Sequence, residues 1–219
     1  MTDEVASGDR ATGVALLHPF CLEVTMHPFD KYVQNVKKMV TDKSLDQSEY
    51  MRLGQSDLRW SVFRSRKFLD RKIKRGNVYQ FDFGKNVVPE MSYEHRGLVI
   101  GTNKNLLYVL PIFTYRELAH KKDLFDPVSN KKGNLYMLHA SEYGFINHDS
   151  VLKLNDIRCV STKRILYKQG SGTIPADSND YKNIEVQALA RVFPEFHYEL
   201  MQLRKEKQCL KEQLSAQDK

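Results

Sequence analysis

The sequence predicts an α+β protein, a small curled antiparallel β-barrel flanked by N-terminal and C-terminal helices. Three observations predict it. Between Gly76 and Leu166, short apolar runs are separated by turn residues, with no long helical pattern among them. On both sides of that stretch apolar residues recur at three and four positions, the helical period. The 219 residues, 41% hydrophobic and 28% charged, describe an ordered chain with room for one small domain and substantial additions.

Residues 1 to 26 open with a small, polar segment. Leu17-His18-Pro19-Phe20-Cys21 and then His27-Pro28-Phe29 follow, each proline turning the residue before it away from helix. His18, Cys21 and His27 are three soft ligands without a zinc spacing, so turns and packing are favoured over a metal site. The run Val14-Ala15-Leu16-Leu17 is too short for a membrane span or a signal segment.

Phe29, Tyr32, Val33, Val36 and Val40 mark one face of a helix ending near Thr41. Ser44-Leu45-Asp46-Gln47 has the form of a capping box and opens a second helix, which Gly54 weakens. From Asp57 the residues Leu58, Val62, Leu69 and Ile73 continue one stripe up to Gly76. The segment 59–75 carries Arg59, Arg64, Arg66, Lys67, Arg71, Lys72, Lys74 and Arg75 against the single acid Asp70, with Trp60, Phe63 and Phe68 interleaved. Such a helix can lie along a phosphate backbone and stack bases, or bury its aromatics on the barrel and leave its basic face solvated.

Tyr79, Phe81 and Phe83 alternate with Val78, Gln80 and Asp82, a strand with aromatics on one face. Further runs fall at 97–101, 106–112, 135–138 and 151–154. Gly170 to Asp180 has the composition of a linker or large turn. Beyond it, Ile184, Ala188 and Val192 predict a helix interrupted at Pro194. Phe196, Leu200, Leu203, Leu210 and Leu214 then fall on a four-three spacing broken by Lys207, which implies a partner helix within the chain or from another protomer. The divisions are therefore 1–74, helical; 75–168, barrel; 169–182, linker; and 183–219, helical.

The ordered set Gly76-x-Val78-Tyr79-x-x-Asp82-Phe83-Gly84, Arg96 before Leu98-Val99-Ile100, Leu110-Pro111-Ile112-Phe113-Thr114, Asp149 to Arg158 and Lys163-Arg164-Ile165-Leu166 resembles the MazF/PemK family of toxin endoribonucleases. The resemblance implies an SH3-like barrel, usually homodimeric, that cuts single-stranded RNA without a metal or other cofactor and is silenced by a cognate antitoxin. It also implies Arg96 and Thr114 as the catalytic pair, and substrate contacts from Lys85, Glu90, Glu94, His95, Lys163 and Arg164. The family commonly has Arg-Pro where this chain has Arg96-Gly97, and Gly-x-Glu in the loop where this chain has Val88-Pro89-Glu90-Met91. The alternative is a barrel that binds nucleic acid or protein without cleaving.

Cleavage through the 2′-hydroxyl needs a proton acceptor, protonation of the leaving 5′-oxygen and positive charge at the phosphorane. A guanidinium clamps phosphate bidentately but is a poor base, which makes Arg96 the acid and clamp; Thr114 can donate one hydrogen bond, or instead cap a helix at 115–118. His95 and Glu94 are the neighbouring bases, and on a regular strand only Glu94 shares the side of Arg96. The extra residue Phe113 puts the face of Thr114 in question. His139 falls in a strand pattern as a core or edge residue. A net charge of +7 favours polyanions. Cys21, Cys159 and Cys209, unpaired in spacing, fit a reducing cytoplasm.

Overall fold

The computed structural model describes residues 27–44, 46–68, 72–166 and 172–217. His18 and Cys21 lie outside them. The chain forms two compact units, Met1–Asp46 and Gln47–Lys219. In the first, α1 (Pro28–Thr41) begins at a proline in its first turn, where a missing N–H costs nothing, and the His27 ring accepts a hydrogen bond from the Phe29 amide at 3.3 Å.

The second unit contains α2 (Gln47–Ser65), β1 (Asn77–Asp82), β2 (Glu94–Asn103), β3 (Leu106–Thr114), α3 (Glu117–His120), β4 (Leu135–Leu138), β5 (Ser150–Lys153), β6 (Arg158–Ser161), β7 (Gly172–Thr173), α4 (Asn179–Val192) and α5 (Pro194–Gln217). It is α+β, and its seven strands form one curled antiparallel sheet in the order β4-β5-β3-β2-β1-β7, with β6 on β3. No helix among the described residues is long and apolar enough to cross a membrane.

The curl follows from two strands that change partners. The outer edge of β3 pairs with β6 through Val109 and with β5 from Ile112. Pro111, which has no N–H to give, stands at the switch. The outer edge of β1 pairs with β7 at Asn77 and Val78, then with Ile165 opposite Phe81, and the Leu166 amide donates to the Gln80 carbonyl at 2.9 Å. The chain leaving β6 thus returns to β1 and bends the sheet toward closure.

Both faces of the central strands are consequently buried. Tyr79, Phe81, Phe83, Val99, Leu107, Val109, Val160 and Ile165 fill the inside of the curl. Val78, Leu98, Leu110, Ile112, Leu152 and Ile174 face the other way, against Tyr181, Ile184 and Ala188 of α4. Tyr181 is fully buried and its hydroxyl donates to the Ile100 carbonyl at 3.3 Å, so the large side chain that seals this layer is also satisfied. Gly76, at φ +85°, lies so close to Ile174 that a Cβ would stand 2.2 Å from its carbonyl oxygen.

One expectation from sequence is corrected here, and two stretches are defined more closely. The second helix ends at Ser65, not at Gly76: the Arg66 guanidinium donates to the Ile165 carbonyl at 2.7 Å, and Ile73 packs into the curl rather than on a helical stripe. The expected linker contains β7 and the fully buried Ile174, and α4 begins at Asn179, where the Ser178 hydroxyl accepts from the Tyr181 amide at 3.1 Å. Finally, α2 belongs to the same compact unit as the sheet.

Candidate functional site

Arg96 stands in register with Gln80 on β1 and Ile112 on β3. Residues opposite one another in an antiparallel ladder share a face, as do residues two apart along a strand. Asp82, opposite Glu94, and Thr114, two beyond Ile112, therefore stand on the face of Arg96 and Glu94. Thr114 is exposed, at the end of its strand, opposite Ser150 of β5.

Phe113 does not move Thr114 off this face. The register Ile112–Leu152, Phe113–Val151, Thr114–Ser150 is unbroken, and Phe113 points to the opposite side, edge-on to His120 with ring centroids 5.1 Å apart. Nor does Thr114 cap a helix, since α3 begins after Arg116 and has no side-chain cap. His95 lies opposite Phe81, on the face away from Arg96, as a regular strand requires. Burial, and next the positive charge of Arg52, lower the pKa of His95 below the ordinary 6.5 and keep the ring neutral.

Helix α2 is fixed to this end of the sheet by polar rather than apolar contacts. Arg59 forms ion pairs with Asp82, at 3.5 Å, and with Glu94. Asp82 is 1% exposed, and its other oxygen accepts from the Gly84 amide at 2.8 Å. Asp57 pairs with Lys85 at 2.7 Å. Arg164 donates to the Asp82 carbonyl at 3.0 Å, while Lys163 donates to the Arg64 carbonyl at 3.3 Å and lies 4.6 Å from the centre of the Phe68 ring. Lys85, Glu94, Lys163 and Arg164 are thus gathered around α2 and its extension, tied by contacts within the chain.

Of the α2 aromatics, Phe63 is half-buried while Trp60 is not sunk into the sheet. Trp60 is 55% exposed with the Arg64 guanidinium over its ring at 5.0 Å, and Leu58 and Val62, on the expected apolar stripe, are exposed. Two openings flank Arg59. One of about 340 Å³ is lined by Trp60, Phe63, Asp82, Lys85 and Arg164; the other, of about 300 Å³, by Arg52, Gln55, Tyr93, Glu94 and His95. Both are at the small end of ligand-pocket size.

Glu90 stands apart from this group. It pairs with Arg158 at 3.2 Å, and the neighbouring Met91 amide donates to Asp156 at 2.9 Å, which anchors the loop 84–93 to the turn before β6. Gly97 is glycine for steric reasons: a Cβ there would stand 2.2 Å from Val109 Cγ1.

One pair escaped sequence reasoning. His139, just after β4, lies with Nδ1 3.5 Å from the Asp149 carboxylate, one residue before the cross-strand partner of Thr114. A hydrogen bond from the Ala140 amide, and then His139 itself, hold the Asp149 pKa below the usual carboxylate value. No signal short of the β4–β5 register joins residues ten apart in this way. Among the described residues, no three of histidine, cysteine, aspartate and glutamate are grouped to hold a metal ion. In comparisons with known protein families and with curated proteins, no family model matches the chain and no curated protein matches it significantly.

Proposed function

We propose that the protein is an endoribonuclease of the MazF/PemK type, built on an SH3-like barrel, that cleaves single-stranded RNA through its 2′-hydroxyl. The observation that carries this reading is the common face of Arg96, Thr114 and Glu94 at the open end of a curled sheet. Arg96 clamps the phosphate and protonates the departing 5′-oxygen, Thr114 donates to a phosphate oxygen, and Glu94 takes the 2′-hydroxyl proton. The new bond joins the 2′-oxygen to phosphorus and the bond to the 5′-oxygen breaks. The products are a 2′,3′-cyclic phosphate and a 5′-hydroxyl end. By the same resemblance the partners are RNA, a cognate antitoxin and a second copy of the chain.

A second reading, a barrel that binds nucleic acid or protein without cleaving, is favoured by one observation: Glu94 is already engaged by Arg59. A single experiment separates the two. Long single-stranded RNA is incubated with the full chain in excess EDTA, alongside Arg96→Ala and Thr114→Ala, and the ends are mapped. Cyclic-phosphate ends that vanish with Arg96→Ala support the nuclease. RNA left whole by every variant, with binding reduced in Arg96→Ala, supports the module.

A further inference from the structure

Helix α5 is 24 residues long, about 36 Å at 1.5 Å per residue. Its four-three series is largely uncovered: Phe196 is 60% exposed, Leu203 62%, Leu210 59% and Leu214 63%. Only Leu200 is half-buried, where the helix leans on Leu189 and Phe193 at the end of α4. Four large apolar side chains repeating along one line of an exposed helix are what a coiled-coil seam presents before its partner arrives.

The charges beside the seam identify that partner. With Phe196, Leu203 and Leu210 at heptad position d and Leu200, Lys207 and Leu214 at a, the g positions are Glu199, Glu206 and Gln213, and the e positions are His197, Arg204 and Lys211. One flank is acidic and the other basic. In a parallel, in-register pair each g residue faces the e residue five positions on in the other helix. Glu199 then meets the partner's Arg204, and Glu206 meets the partner's Lys211. An antiparallel pair would set acid against acid and base against base.

We propose that α5 is a dimerisation helix whose occupant is a second copy of this chain, parallel and in register along Leu203 to Leu214. Lys207 is the one polar residue of the seam, and at an a position it favours a two-stranded, registered assembly at a cost in affinity. Two heptads give a reversible, concentration-dependent dimer. The assignment rests on α5 alone and is independent of the ribonuclease reading.

The test is sedimentation of the full chain across the micromolar range. A mass that rises from one chain to two is expected, and Lys207→Leu shifts the midpoint to lower concentration by about tenfold. Glu199→Lys with Glu206→Lys makes both flanks basic and abolishes the dimer, and adding Arg204→Glu with Lys211→Glu restores it. All four positions lie on the helix surface, so far-UV circular dichroism checks that the variants fold. In a Cys209→Ser background, Leu210→Cys oxidises to a linked dimer if the helices are parallel. A single-chain mass at every concentration overturns the proposal, as does a dimer indifferent to both the charge and Lys207 substitutions.

Discussion

Arg59 of α2 lies 3.5 Å from Asp82, a carboxylate that is 1% exposed at the end of β1. The buried group is met by one partly exposed guanidinium from a neighbouring helix and by the Gly84 amide. Since the same guanidinium also reaches Glu94, a single side chain joins α2 to both strands of the candidate face.

Arg59→Ala should therefore act twice. It leaves a buried carboxylate short of its cation, a loss of about 2 kcal/mol, below the cost for a fully buried pair because the Gly84 hydrogen bond remains. Urea unfolding measures this. It also frees Glu94, so RNA cleavage per folded molecule should rise by several-fold; an unchanged rate would mean that α2 does not restrain the site.

Gly97→Ala is expected to destabilise the protein by about 1–3 kcal/mol, the usual cost of overpacking. The added methyl meets Val109 Cγ1 and the Phe81 ring in the inner layer, where both residues are fully buried. Combining it with Val109→Ala should return part of the loss, measured as a shift of the urea midpoint at constant slope. If the double variant is simply the sum of the two singles, the clash is not the cause.

His95 gives a pH signature. Its pKa in the folded protein lies below 6.5, through burial and then Arg52, so on acidification the unfolded chain takes up this proton first. The sign follows: the contribution to stability is complete above about pH 7 and is lost as pH falls through the unfolded value toward the folded one. His95→Gln should flatten the fall in stability that sets in as pH drops below about 7. An identical slope in both proteins would show that other groups carry the acid sensitivity.

The sheet strands were legible because aromatic and branched residues alternate between turn signals, and the face shared by Arg96 and Glu94 followed from strand period alone. The aromatic row Tyr79, Phe81 and Phe83 does line one side. What composition hid was set by long-range pairing. Gly172 and Thr173 have a linker's composition yet pair with β1, and Arg158 to Ser161 form a strand only because β3 offers them an edge. The stripe of Leu58 and Val62 misled, because ion pairs rather than apolar contacts fix α2. The placement of Thr114 could not be decided without knowing that Phe113 keeps its partner Val151.

The changing partners of β1 impose an order on how the chain is made. Phe81 waits for Ile165, and Val78 for Gly172, so one edge of the first strand stays bare until residues some 80 to 95 positions later have left the ribosome. Contacts this distant in sequence make for slow folding, and an open apolar strand is the surface on which nascent chains associate. A synthesis arrested before Ile165 would leave this protein with its inner layer unsealed, a form for quality control rather than for function.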